Sequence, residues 1–219
     1  MNIPGQRTEF EPMLRHAMQC SHYFSRLLDA EPDWQDILRT DHATPVDAAR
    51  ITHWLGGQPA ADETQLAQAL RVLRKRVMLN LILRDLNGLC GLDEVMSAMT
   101  VLAEIAVRRA QALVTEALTA QYGSPIGRDS GLPQQLLVIG MGKLGGGELN
   151  VSSDIDLIFV YPEEGETDGT RSLSNHEFFS RLGRRIIALI NDLTADGYVF
   201  RVDMRLRPYG DSGPLVMGF

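Results

Sequence analysis

The feature that most constrains the fold of this chain is a run of glycines between two short apolar segments. Residues 140–147 are Gly-Met-Gly-Lys-Leu-Gly-Gly-Gly, preceded by the β-rich stretch 136–139 and followed by another at 155–161. The run contains G-x-G-x-x-G, the pattern of a dinucleotide-binding turn. Such a turn leads into a helix, but the next strand begins within about ten residues, and a parallel crossover with its helix needs more. The spacing therefore argues against a dinucleotide-binding domain.

A second phosphate-binding motif is also excluded. A Walker A loop requires Gly-Lys-Ser/Thr after four spacer residues, whereas Lys143 precedes the glycines here. What remains is a glycine-rich turn whose backbone amides can approach phosphate oxygens without a Cβ in the way. We expect this turn to bind phosphate through Gly142, Lys143, Gly145 and Gly146.

Two aspartates stand at the start of the following strand. Asp154 and Asp156 are separated by one residue, so the period of two directs both carboxylates to one face, while Ile155 and Leu157 face the core. Two adjacent carboxylates repel each other, and a divalent cation would compensate them. Magnesium suits this place because it takes oxygen ligands from one or two carboxylates and from substrate phosphates. The alternative is a hydrated, acidic strand start.

A third strand is predicted at 198–206 from its strict alternation. One face would be apolar, with Tyr198, Phe200, Val202, Met204 and Leu206; the other would carry Val199, Arg201, Asp203, Arg205 and Arg207. We interpret Asp203 as a third metal carboxylate, and Arg205 or Arg207 as ligands of nucleotide phosphates. A salt-bridged, solvent-facing strand is the other interpretation.

Helical periodicity dominates the first half of the chain. Apolar residues recur every three or four positions over 66–86, where Arg74-Lys75-Arg76 is expected on a solvated face, and again over 95–117, before Gly123. A capping box at Ser174–Glu177 predicts a further helix between the second and third strands. We predict an α+β chain: a helical region over 1–122, a Gly/Pro-rich linker over 123–133 and a catalytic domain over 134–219.

Composition limits the partners and the compartment. The 219 residues carry a net charge of −7, so no general basic field attracts nucleic acid. Cys20 and Cys90 form no zinc-binding pattern, which favours a reducing environment. The first residues lack the features of a signal peptide, and no apolar run approaches a membrane span. We therefore expect a cytoplasmic protein with neither nucleic acid nor membrane as its partner.

The glycine-rich turn, the Ser-x-Asp-x-Asp pattern and the later Asp203 together resemble the DNA polymerase beta-like nucleotidyltransferase superfamily. More closely, 140–159 and 201–215 are similar to the glutamine synthetase adenylyltransferase family. The resemblance implies a small mixed sheet flanked by helices. It also implies two magnesium ions on Asp154, Asp156 and Asp203, with Ser153 among the nucleotide-binding residues.

Members of that family have two catalytic domains. The amino-terminal domain removes AMP from a tyrosine of glutamine synthetase by phosphorolysis, releasing ADP, and the carboxy-terminal domain adds AMP from ATP. The sequence of residues 145–150 resembles that of the AMP-removing domain. By this resemblance, the catalytic domain would continue past Phe219. The resemblance further implies glutamine synthetase and a PII-type nitrogen-status protein as partners. Three alternatives stay open: addition of AMP to a protein, adenylyl transfer to a small molecule, and a regulatory module without catalysis.

Overall fold

The computed structural model describes residues 6–58 and 60–219. Its first half consists of helices, three of which are capped at their start by a short polar side chain. Asp47 and Asp62, for example, each accept a backbone N–H three residues later, at 2.9 and 2.8 Å. The helices are α1 (Gln6–Cys20), α2 (His22–Ala30), α3 (Trp34–Asp41), α4 (Ala48–Gly56), α5 (Glu63–Leu86) and α6 (Leu92–Tyr122).

The two predicted long helices are confirmed as α5 and α6, and α6 ends at Gly123 as expected. The expectation of a solvated basic face on α5 is wrong. The Lys75 side chain is only 10% exposed and its Nζ lies 2.7 Å from carboxylate oxygens of both Glu31 and Asp196. Arg76 pairs with Asp41 at 2.7 Å. Lys75 is buried and Arg76 partly buried because other elements cover α5 on several sides.

The second half contains a small mixed sheet, which confirms the predicted α+β class. Strand β3 (Ile155–Tyr161) is central: β2 (Leu137–Met141) pairs with it antiparallel, and β5 (Val202–Asp203) and β6 (Val216–Gly218) pair with it parallel. A one-turn helix, α7 (Gly142–Gly145), and a loop connect β2 to β3. No crossover helix fits between these strands, as the spacing predicted.

The predicted capped helix is α8 (Asn175–Asn191), whose start is capped by Ser174 accepting the Glu177 N–H at 3.2 Å. It packs closely on the central strand. A Cβ at Gly183 would lie 2.9 Å from Phe159 Cδ2, so glycine lets the helix approach β3. Its apolar face, including Phe178 and Ile186, is buried.

The predicted strand at 198–206 is wrong over most of its length, since only Val202–Asp203 form β5. Val199, expected on the polar face, is fully buried, whereas Leu206, expected in the core, is 51% exposed. The reason is that the N–H groups of residues 199 and 200 both donate to the carbonyl of Ile190, at 2.9 and 3.2 Å, and so wrap the chain around the end of α8. After Met204 the chain turns, which breaks the alternation a second time.

The segment 123–133, predicted as a linker, contains strand β1 (Pro125–Gly127), which pairs antiparallel with β4 (Gly165–Thr167). The flanking halves share one cluster of buried side chains, drawn from α4–α6, the sheet and α8. The division into two domains stays a prediction. Among the described helices, none combines the length and hydropathy that crossing a membrane requires.

Candidate active site

The structure places two of the three predicted acids side by side. In the parallel pairing of β3 with β5, Asp156 is the direct partner of Asp203, and Ile155 that of Val202. Neighbouring strands lie about 4.8 Å apart, and paired residues direct their side chains to the same face. Ile155 and Leu157 are buried, as expected for the opposite face. Asp156 and Asp203 therefore form one acidic pair at the edge where β3 begins.

The glycine-rich turn lies against this pair. Met141 is the antiparallel partner of Asp156, so the chain turns into α7 directly beside that carboxylate. Gly142 has φ +54°, and a Cβ on it would lie 2.5 Å from Asp156 Oδ2. Glycine is thus required here both by the backbone conformation and by the approach of the acid.

The predicted phosphate-binding residues of the turn differ in what they offer. Lys143 has an exposed side chain. The Gly146 N–H donates to the Gly142 carbonyl at 3.0 Å, and therefore closes the turn. A Cβ on Gly145 would lie 2.6 Å from the Gly140 carbonyl, so this glycine lets the turn close on the end of β2. Phosphate binding by the turn stays a prediction.

Asn150, which the sequence reasoning missed, organises the approach to the aspartates. Its Oδ1 accepts hydrogen bonds from the Ser152 N–H at 3.1 Å and from the Ser153 hydroxyl at 2.9 Å. Ser153 is thereby held within the loop. The signal was available in the sequence, because an Asn followed two residues later by Ser is typical of a side-chain-capped turn.

Asp154 and Asp203, the first and the last of the three acids, are each bound by an arginine. Arg201 Nε donates to Asp154 Oδ1, while its Nη2 donates to the Ser152 carbonyl at 3.0 Å. Because of this bond and the negative charge of Asp154, the pKa of Arg201 is raised. Sequence reasoning placed Arg201 on the polar face but assigned it no role in the site. It holds Asp154 in a position one residue before β3.

Asp203 is bound by Arg205 through both side chain and backbone. Arg205 Nη2 lies 2.5 Å from Asp203 Oδ2, and the Arg205 backbone N–H donates to Oδ1 at 2.8 Å. The side-chain bond first, and the backbone bond second, lower the pKa of Asp203. Arg207, the other predicted phosphate ligand, donates from Nη1 to the Met204 carbonyl at 2.7 Å. Arg205 therefore borders the acidic pair, while phosphate binding by either arginine stays a prediction.

The acids fit magnesium only in part as they are arranged. Asp156 and Asp203 present carboxylates on one face, which suits an oxygen-binding cation. Asp154 is turned towards Arg201. Across residues 6–58 and 60–219, no group of three His, Cys, Asp or Glu side chains is placed to hold a metal ion. A three-carboxylate site would require Asp154 to leave Arg201, and it stays a prediction.

Comparison with known proteins identifies the family. The family model described as glutamate-ammonia ligase adenylyltransferase matches residues 12–219. A protein of Chromobacterium violaceum named bifunctional glutamine synthetase adenylyltransferase/adenylyl-removing enzyme is 58% identical over 210 residues, covering 94% of this chain and 23% of that protein. Proteins of the same name from Nitrosomonas eutropha and Aromatoleum aromaticum are 47% and 51% identical, covering 99% and 94% of this chain.

The chain spans about a quarter of the length of these relatives, 22–24%. The match nevertheless runs through the helices, the glycine-rich turn, the paired aspartates and the segment that follows them. On the extent of this match, the chain belongs to the glutamate-ammonia ligase adenylyltransferase family.

Proposed function

We propose that this protein is a nucleotidyltransferase that removes AMP from an adenylylated tyrosine of glutamine synthetase by phosphorolysis. The observation that carries the proposal is the register of β3 and β5, which pairs Asp156 with Asp203 directly beside the Gly142 turn. Nucleotidyl transfer requires carboxylates next to a place where phosphate oxygens can approach the backbone. Family membership supports the identity of the transferred group as adenylyl and of the protein substrate as glutamine synthetase.

In the proposed reaction an oxygen of inorganic phosphate attacks the phosphorus of the AMP group. A new P–O bond forms, the P–O bond to the tyrosine breaks, and the tyrosine oxygen takes up a proton. The products are ADP and unmodified glutamine synthetase. A tyrosine hydroxyl has an ordinary pKa near 10, so the departing oxygen needs a positive charge nearby. Lys143 lies within the turn, and Arg205 is bound to Asp203 of the acidic pair, so these two cations are candidates for that role.

Asp156 and Asp203, joined by Asp154 once it is released from Arg201, would hold magnesium, which supplies Lewis-acid charge to phosphate oxygens. Arg201 and Arg205 occupy two of these carboxylates, those of Asp154 and Asp203 respectively. Their guanidinium groups are therefore placed to transfer from the acids to the phosphates of a nucleotide. A PII-type regulator and a cytoplasmic location belong to the same proposal, on the family resemblance alone.

A second candidate is addition of AMP from ATP to glutamine synthetase. The names of the relatives favour it, because they include both an adenylyltransferase and an adenylyl-removing activity. The paired acids would serve both directions. We choose removal because the sequence Gly-Gly-Gly-Glu-Leu-Asn at 145–150 resembles the AMP-removing domain of the family.

The test uses adenylylated glutamine synthetase, radiolabelled inorganic phosphate and magnesium. We expect labelled ADP to form, and Asp156→Asn to reduce its rate by at least about 10²-fold, as for loss of one preorganised electrostatic group. Asp29→Asn, which removes an exposed carboxylate on α2, is the matched control and should leave the rate unchanged. AMP transfer from ATP without ADP formation would favour the second candidate. If neither reaction occurs, the proposed function is refuted.

A further inference from the structure

A cavity of about 480 Å³ lies between α2, α5 and the loop that follows α8. Its volume falls within the range of small-molecule sites. It shares no lining residue with the glycine-rich turn or with the three aspartates. Its lining includes Arg26 from α2, Arg74 and Lys75 from α5, and Leu193 and Tyr198 from the loop.

Two cations at this cavity are already satisfied by the protein. Lys75 lies between two carboxylates, each at 2.7 Å. The buried Arg71 guanidinium donates to backbone carbonyls, among them those of Gly197 at 2.8 Å and Leu189 at 3.0 Å. These contacts join α5 to the end of α8 and to the following loop. Neither side chain needs a ligand to balance it.

Arg26 and Arg74 differ from those two cations. Within residues 6–58 and 60–219, neither belongs to an ion pair with a carboxylate. The Nε of Arg74 is buried and has no hydrogen-bond partner among the described residues. The same guanidinium lies over the ring of Tyr198, 5.0 Å from its centroid. The guanidinium of Arg74 lines the cavity, and an anion there would balance its charge.

The charge of the lining indicates what kind of anion. Both acids of the lining, Glu31 and Asp196, pair with Lys75, so neither forms an ion pair with Arg26 or Arg74 among the described residues. Two uncompensated guanidinium groups in a chain of net charge −7 suit a dianion with several oxygens. Leu193, 79% exposed at the rim, offers apolar surface for an organic group.

We propose that this cavity is a binding site for a small organic phosphate monoester, with the phosphate between Arg26 and Arg74 and the organic part against Leu193 and Tyr198. The cavity shares no lining residue with the turn or the acidic pair, so a ligand bound there would leave the catalytic site open. The proposal does not depend on the direction of the reaction or on the activity itself.

The test is a titration of the ¹⁵N-labelled protein with phenyl phosphate, followed by the amide signals of Gly197 and Gly142. Gly197 lines the cavity and Gly142 lies in the catalytic turn. We expect the Gly197 signal to shift saturably. Arg26→Gln and Arg74→Gln should each raise the dissociation constant at least about tenfold, the effect of one lost charged hydrogen bond. Arg15→Gln, which removes an exposed charge from α1 outside the cavity, should leave it unchanged.

Benzoate provides the second arm, since it has a similar ring but a single negative charge. It should bind at least about tenfold more weakly than phenyl phosphate. Equal affinity would overturn the assignment to phosphate monoesters. Shifts confined to Gly142 and its neighbours, or an unchanged affinity in Arg26→Gln, would overturn the site itself. Arg26 is on the surface, so this variant keeps the test decisive if Arg74→Gln fails to fold.

Discussion

Replacing Gly142 by alanine separates backbone strain from damage to the acidic pair. The backbone at Gly142 has φ +54°, a conformation that costs an L-residue about 1–2 kcal/mol. The added methyl group would lie 2.5 Å from Asp156 Oδ2, whereas ordinary contact begins at 3.4 Å. The carboxylate must therefore retreat by about 1 Å, and a displacement of that size in a catalytic group can reduce a rate by about 10²-fold.

Gly88→Ala is the matched control for this prediction. Gly88 follows α5 with φ +68°, and a Cβ on it would meet nothing within 4 Å. Both variants should lose about 1–2 kcal/mol of unfolding free energy in urea melts. Only Gly142→Ala should also lose ADP formation from adenylylated glutamine synthetase, by about 10²-fold. If both variants keep full activity at equal stability, the contact between the turn and Asp156 does not matter for the reaction.

Three further predictions concern stability. Burial raises the pKa of Glu94, but hydrogen bonds from Arg84 and a backbone N–H outweigh this effect and hold the pKa below 4.5. The resulting stabilisation is present above that pH and is lost as pH falls through the folded-state pKa. Glu94→Gln should therefore reduce the loss of unfolding free energy at acid pH, and an unchanged loss would contradict this. Arg71→Met should lower the unfolding free energy in urea melts by about 3 kcal/mol, because it leaves the buried Leu189 carbonyl and the partly buried Gly197 carbonyl without their donor. A loss under about 1 kcal/mol would show that water replaces the guanidinium. Phe200→Asp should prevent stable folding, whereas Leu206→Asp should change the unfolding free energy by less than about 0.5 kcal/mol, because Phe200 is buried and Leu206 is exposed. The reverse order in circular dichroism melts would support the alternating strand that the sequence predicted.

Local patterns were sufficient where one element decides its own conformation. The periodicity of 66–86 and of 95–117 predicted α5 and α6, and the capping box at Ser174 predicted the start of α8. The short spacing between the glycine run and Ile155 excluded a crossover helix, because chain length limits connectivity whatever the packing. The same spacing placed the turn and the first two acids close together in space.

Patterns failed where a distant segment competes for the backbone or for a charge. Alternation over 198–206 predicted one long strand, but the carbonyl of Ile190 takes the amides of residues 199 and 200. The basic run on α5 suggested a solvated face, yet the partners of Lys75 come from α2 and from the loop after α8. Neither partner is near in sequence, so no local window contains the information.

The candidate site shows the same division. Residue types and period-two spacing were enough to single out Asp154, Asp156 and Asp203, since a carboxylate's chemistry and its face on a strand are local properties. Tertiary structure alone decided that Asp156 pairs with Asp203 while Asp154 turns to Arg201. Strand register and ion pairing depend on free-energy differences between alternative tertiary structures, in which segments far apart along the chain are in contact. Those differences cannot be obtained from one sequence segment at a time.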